Sequence, residues 1–186
     1  NASPNKNQWG GSDDVQYLDT YKATTEWTTL TWKFNAAFTH DMLQFCFGKL
    51  GGTIDFDAVK LVKDGSDDNL VANGDFTTDN ISAWGSNWQG PSFAIKQGSG
   101  ESAGGNFCIK YTTTKDGANL WDHQATYKLD KTLVQGAKYV LTMKVKSTSK
   151  TKFAFWPIWN ASPNKNQWGG SNDVQYCEDK DISTKW

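Results

Sequence analysis

Trp156 and Trp159, two indoles separated by a proline and an isoleucine, are side chains suited to holding a flat ligand. They close the stretch Lys152-Phe-Ala-Phe-Trp-Pro-Ile-Trp-Asn160. Phe153 and Phe155 alternate with Ala154 and Trp156, so a strand here sends the phenylalanines into a core and turns Trp156 to the opposite face. Pro157 has no N–H to give a ladder, and Trp159 follows on a bulge or edge beside a polar loop. An indole at such a rim suits stacking against an apolar ligand surface.

The residues available for catalysis are sparse by comparison. Glycoside hydrolysis needs two carboxylates at a defined separation, one of them with a raised pKa. The chain has three glutamates, Glu26, Glu101 and Glu178, and its aspartates lie mostly in turns, where a short carboxylate caps the backbone. His40 and His123 are the only histidines, and neither has a Ser or Cys partner in a recognisable nucleophilic arrangement. Gly98-Ser-Gly-Glu-Ser-Ala103 has the glycines of a dinucleotide loop, but no helical period follows, and Gly104-Gly105 makes it a hairpin connection. Cys46, Cys108 and Cys177 are an odd count without metal-ligand spacing. Buried free thiols are favoured over a disulfide. Binding rather than catalysis is the expectation.

Composition points the same way. A chain of 186 residues can bury the core of one ordinary domain. Nineteen basic against twenty acidic residues give a net charge of −1, which argues against nucleic acid or an anionic membrane as partner. No apolar run approaches the ~20 residues of a membrane-crossing helix. Ten tryptophans in a chain of mean hydropathy −0.65 imply that some of them stand outside the core.

The elements that must position these residues read as strands throughout. Leu30, Trp32 and Phe34 alternate with Thr29, Thr31 and Lys33. Leu43, Phe45 and Phe47 oppose Met42, Gln44 and Cys46; Tyr139, Leu141, Met143 and Val145 oppose Thr142, Lys144 and Lys146. Further strands are expected over 53–62, 70–76, 92–97, 106–113, 123–130, 152–159 and 173–180, and Asp64–Asn69 reads as a short flexible linker. Strands at this spacing, with Gly, Asn and Asp in the turns and no helical period, specify an all-β antiparallel sandwich.

The segment 1–17 recurs as 160–176, with Asp13 against Asn172 the single difference, and the match continues more weakly to Trp27 and Trp186. A period of that length suggests a slice through a tandem array of modules, cut out of phase. Residues 1–66 would be the C-terminal part of one module and 67–186 the N-terminal part of the next, together one complete set of strands. The two copies must then compete for one position. Either one copy is displaced in a closed monomer, or strands 28–66 complete a neighbour's sandwich in a domain-exchanged oligomer.

One stretch resembles a known family. Asn69-Leu-Val-Ala-Asn-Gly-Asp-Phe76, with Trp84 nearby and a closing strand Ile54-Asp-Phe-Asp-Ala-Val-Lys-Leu61, is similar to the carbohydrate-binding modules of families 4, 9 and 22, and most of all to the family 4 modules in tandem within bacterial xylanases. The resemblance spans residues 28–186 and implies a jelly-roll sandwich, here with its strands in permuted order. It also implies a secreted, cell-surface or periplasmic protein that docks a parent glycoside hydrolase onto xylan or, alternatively, a β-glucan. Sugar rings present apolar C–H faces edged by hydroxyls, which aromatic platforms and planar amides complement. Carried over, the resemblance makes Trp121 and Trp156 the platforms and Gln124 an edge partner. Gln44 and His123 are further candidates, and Trp84, Trp88, Trp159 and Trp168 (or its duplicate Trp9) would extend the platform from loops. Trp27, Trp32 and Trp186 are expected to be structural. The family often holds one structural calcium ion, for which Asp57 and Asp75 would be the side-chain ligands. Thr77 stands where many relatives have Glu, which weakens that site.

Overall fold

The computed structural model describes residues 21–23, 27–87, 90–97, 107–167 and 169–177. Among the described residues ten strands form: β1 (Tyr21–Ala23), β2 (Thr28–Asn35), β3 (Met42–Cys46), β4 (Thr53–Lys63), β5 (Trp84–Asn87), β6 (Ser92–Gln97), β7 (Phe107–Thr112), β8 (Gln124–Lys128), β9 (Lys138–Ser147) and β10 (Thr151–Phe155). No α-helix occurs among the described residues, and no helix there is long and apolar enough to cross a membrane. The strands make two five-stranded antiparallel sheets, in the orders β1-β10-β3-β8-β5 and β2-β9-β4-β7-β6. This is the expected β-sandwich.

Alternation along each strand decides which residues meet between the sheets. Leu30, Trp32 and Phe34 from β2 and Tyr139, Leu141, Met143 and Val145 from β9 face Leu43, Phe45, Phe153 and Phe155 of the other sheet. The middle is a cluster of rings: Phe45, Phe56, Phe153 and Phe155 are fully enclosed, and Phe47 stacks on Phe153 at 6.3 Å with an interplanar angle of 11°. Each such ring removed from water contributes roughly 1.5–3 kcal/mol. Cys46 and Cys108 are buried free thiols, as expected, and Cys177 is a third. Burial of Cys46 and Cys177 pushes both thiols well above the ordinary cysteine range.

Three segments depart from the sequence reading. Residues 69–76 are a series of turns rather than an opening strand. The reason lies at Asn73-Gly74: Asn73 and Phe76 have φ of 51° and 47°, and a Cβ on Gly74 would lie 2.0 Å from the Val59 carbonyl oxygen, so the chain folds back tightly against β4. The 64–69 stretch is anchored rather than loose. The Asn69 carboxamide accepts from Leu61 N–H and Val71 N–H and donates to the Val59 carbonyl, tying the connection to β4 on which it rests.

The second copy of the duplicated segment is not a ladder strand, though one was expected over 173–180. Between Trp159 and Tyr176 it makes an excursion whose ends return to each other: Trp159 N–H donates to Asp173 O, Gln175 N–H to Pro157 O, and Ile158 bridges Val174. Residues 178–180 and the first copy, 1–17, lie outside the described residues.

Gln175 locks this excursion to the sandwich. Its Nε2 donates to Asn35 O at 2.9 Å, which leaves Oε1 to accept from Ala37 N–H at 2.9 Å and from His40 Nε2 at 2.8 Å. His40 is therefore the Nε2–H tautomer, and its buried Nδ1 finds no partner. Burial lowers the His40 pKa to about 4, opposed by the Gln175 hydrogen bond and by Asp41 and Asp173. The sign is that of a histidine buried neutral. The unfolded chain takes up a proton below about pH 6.5 and the fold resists until about pH 4, so stability is full above 6.5 and falls through that window. The gap corresponds to about 3 kcal/mol. Chemical denaturation at pH 7 and pH 4.5 should show this loss in the native chain and a smaller one in His40→Gln; equal slopes would remove His40 as the cause.

Candidate functional site

The outer face of the sheet β1-β10-β3-β8-β5 carries the residues left over from the core alternation. Register fixes their rows. Gln44 of β3 pairs with Thr126 of β8, which pairs with Gly85 of β5. Cys46 pairs with Ala154 on one side and Gln124 on the other, and Gln124 with Asn87. Trp156 enters the first row, because its N–H donates to the Gln44 carbonyl at 2.8 Å. The floor of this face is thus two amides, a hydroxyl, a thiol and an indole. Gln44, Gln124 and Thr126 are each no more than 8% exposed, so they lie recessed rather than proud. Gly85 keeps the row open, since a Cβ there would come 2.9 Å from the Thr126 hydroxyl.

Trp121 stands at the end of this floor. It is 47% exposed, and among the described residues it and Val134 are the large apolar side chains left open to solvent. A single 3₁₀ turn, Leu120–Asp122, presents it, and close backbone packing holds that turn. Gly48 N–H donates to Leu120 O at 2.7 Å and Gly117 N–H to Gly48 O at 2.6 Å. A Cβ on Gly48 would fall 2.0 Å from Asn119 O, so only glycine permits the approach. The Asp122 carboxylate accepts Asn119 N–H at 2.9 Å, and Gln124 Nε2 donates to Trp121 O at 2.8 Å. An exposed indole costs free energy in water, and here a rigid frame keeps it exposed.

The residues singled out from sequence separate into those this face gathers and those it does not. Trp121, Gln124 and Gln44 share it. Trp156 leaves the core on the expected side, but at 9% exposure it is a walled ring: Tyr176 meets it edge-on at 4.9 Å, with Ala154, Cys46, Leu120 and Val174 around it. It lines the floor and offers little open surface for stacking. His123 is buried and its Nε2 pairs with Lys115 O at 2.9 Å, so it fastens the loop ahead of Trp121 instead of facing a ligand. Trp159 is half-buried, at the root of the 160–176 excursion.

Trp84 is a correction. Expected to extend the platform from a loop, it opens β5 opposite Tyr127, and that parity turns it inward. It is 5% exposed, edge-on to Tyr127 at 5.0 Å and in contact with Phe76, Phe45 and Phe56. Trp32 is core, as expected, and Trp27 is half-buried with Lys146 Nζ 5.7 Å from its ring centroid. Trp9, Trp88, Trp168 and Trp186 lie outside the described residues.

No known family model, curated protein or solved structure matches the chain.

Gln44 has a feature that the sequence did not signal. Its Nε2 donates to Cys46 Sγ at 3.5 Å, and sulfur is among the weakest acceptors a side chain offers. A strong amide donor is thereby held on the floor with a partner that a hydroxyl oxygen would better. Thr126 and Asn87 also belong to this face and were missed. Extending the alternation from Gln124 along its strand would have found Thr126; Asn87 needed the pairing of β5 with β8.

Asp57 and Asp75 sit on either side of a strained junction. β4 bulges between Asp57 and Lys60, with Ala58 at φ 47°, and Val59 N–H donates to Gly74 O at 2.7 Å across to the turn that carries Asp75. Asp57 is fully buried and its Oδ1 accepts Ala58 N–H at 2.6 Å; Asp75 is exposed. Hard carboxylates suit calcium in kind, but the ion takes six to eight oxygens. Among the described residues no three His, Cys, Asp or Glu side chains gather, so these two would need backbone carbonyls and water to complete a site.

Proposed function

We propose that this chain is a non-catalytic carbohydrate-binding module, and that the outer face of the β1-β10-β3-β8-β5 sheet takes a β-1,4-linked plant polysaccharide, xylan or a β-glucan. The observation that carries this is Trp121, an exposed indole on a braced turn at the end of a recessed row of amides. A sugar ring laid on that indole would bury its apolar face, and its equatorial hydroxyls would reach Gln124, Gln44 and Thr126. An amide with its N–H committed, as in Gln124, still accepts from a hydroxyl, and Gln44 has an N–H to give. One open ring makes each contact weak, and neighbouring modules in an array would supply avidity. In that setting the module docks a secreted glycoside hydrolase on its substrate.

Calorimetric titration with xylohexaose and cellohexaose tests the reading. Heat of binding to either, with quenching or enhancement of tryptophan fluorescence, is the expected outcome. No response to either sugar or to the polymers would favour a structural or protein-binding sandwich. Release of reducing sugar would instead mark a hydrolase.

The proposal extends to one structural calcium ion at the Asp57–Asp75 junction, where it would offset the strain of the bulge. Addition of a chelator should then lower the thermal midpoint by a few degrees, and excess calcium should restore it. An unchanged midpoint would leave the junction held by its own hydrogen bonds.

A further inference from the structure

The contacts that seat the second copy of the duplicated segment are ones the first copy is equally equipped to make. Gln175 binds Asn35 O, Ala37 N–H and His40; the Asp173 carboxylate accepts from the Ser162 hydroxyl and from Asn164 Nδ2; Tyr176 closes on Trp156. The first copy carries the counterparts Gln16, Asp14, Ser3, Asn5 and Tyr17. The unlike pair, Asn172 and Asp13, matters little. Asn172 is exposed and contributes its backbone N–H, to Asn164 O, which any residue but proline can do.

β1 directs the first copy to the same place. Tyr21, Lys22 and Ala23 lie antiparallel to Phe153, Lys152 and Thr151. Carried toward the N-terminus, that register would set Gln16 opposite Ile158, one residue from Val15. Val15 is the counterpart of Val174, which bridges Ile158 in the structure. A displacement of one residue is what a single β-bulge absorbs. The second copy reaches the berth as the continuation of β10, and the first would reach it through β1, the neighbour of β10.

We propose that residues 1–17 are an alternative occupant of the berth held by 160–176, and that the two copies exchange within one chain. The second copy is continuous with β10 and the first is joined in sequence to β1, which pairs with β10, so the competition is intramolecular, at an effective concentration on the order of millimolar. Their near-identical contacts keep the two states close in free energy, and a minor state of this kind is populated at roughly 0.1–10%.

The residue that follows each copy tells the states apart. It is Leu18 in the first and Cys177 in the second, and Cys177 is 1% exposed, packed in the core. Exchange would put Leu18 in that place and release Cys177 to solvent. The chain has three cysteines, so a Cys46→Ala, Cys108→Ala background leaves one thiol to follow with an aromatic disulfide reagent under native conditions. Gln175→Ala weakens the second copy and should speed Cys177 modification tenfold or more while the fold stays intact. Gln16→Ala weakens the first copy and should slow modification several-fold, in the parent and in the Gln175→Ala chain alike. If Gln16→Ala leaves the rate unchanged in both, exchange is overturned, and the thiol is reached by local opening instead. Peptide mass mapping of modified Cys177 in the chain with all three cysteines gives the same comparison if the alanine background folds poorly.

Discussion

Trp121→Ala should weaken binding of xylohexaose or cellohexaose by about 5- to 150-fold. A ring stacked on an exposed indole is worth about 1–3 kcal/mol, by analogy with base stacking on aromatic platforms, and each 1.4 kcal/mol is a factor of ten. The same substitution should leave stability within about 0.5 kcal/mol, because a half-open side chain gives up little burial on truncation. The turn itself survives the change. Gln124 holds the backbone carbonyl of Trp121, and the Gly48 and Gly117 contacts are made by main chain. Affinity lost with stability kept is therefore the expected pair of results, read by titration and scanning calorimetry. Unchanged affinity in a chain that binds sugar would move the ligand off this face. Trp156→Ala is the informative contrast: that ring is enclosed against Tyr176, so its removal should cost stability as well as affinity.

Trp84→Ala should cost about 3–5 kcal/mol, in the range for aromatic rings deleted from a core. The ring touches Tyr127, Phe76, Phe45 and Phe56, which cannot all close on the space it leaves. For a chain of this length the thermal midpoint should fall by about 10 °C. Trp84→Phe should be much milder. It keeps most of the apolar contact and removes an indole N–H that finds no acceptor in the interior, a group whose burial carries a penalty of its own. Denaturant titration of the two variants checks the order. An alanine variant within 1 kcal/mol of the parent would place the ring outside the core.

The difference between these two tryptophans shows where the sequence was legible. Long alternating runs, Thr28–Asn35 and Lys138–Ser147, give their faces away because every second residue repeats the same choice of side. Trp84 begins a strand of four residues in which glycine, serine and asparagine follow, so no period exists to assign it a side. The pairing with β8 decides it, and that pairing is between residues 43 positions apart. Trp156 was legible as to face but not as to cover, since Tyr176 reaches it through the fold of a loop twenty residues on. The 69–76 segment failed for a local reason: its apolar residues suit a strand, while Asn73-Gly74 supplies the left-handed turn that the tight approach to Val59 requires. His40, Asp41 and Gln175 carried no pattern at all. Asp41 takes the N–H groups of Asn160 and Ala161, more than a hundred residues away, and only the folded chain brings them together.

The strand order has a kinetic corollary. Among the pairings in the two sheets, β6 with β7 is the one that joins strands consecutive in the chain. β2 must find β9, β3 must find β8, and β4 must find both β7 and β9, across separations from 53 residues (Phe56 to Ile109) to 117 (Thr28 to Val145). Such a topology has high contact order, because the entropy of closing long loops is spent before any ladder rewards it. Folding in the millisecond-to-second range follows, far slower than a helical domain of equal stability. The strands up to Lys63, which carry Leu30, Trp32, Phe34, Leu43, Phe45 and Phe56 to the core, would leave the ribosome well before the partners that cover them, and at roughly 5–20 residues per second that interval lasts several seconds. Lys33 on β2 and Lys60 on β4, both exposed on the faces turned from the core, give these waiting strands some protection against one another.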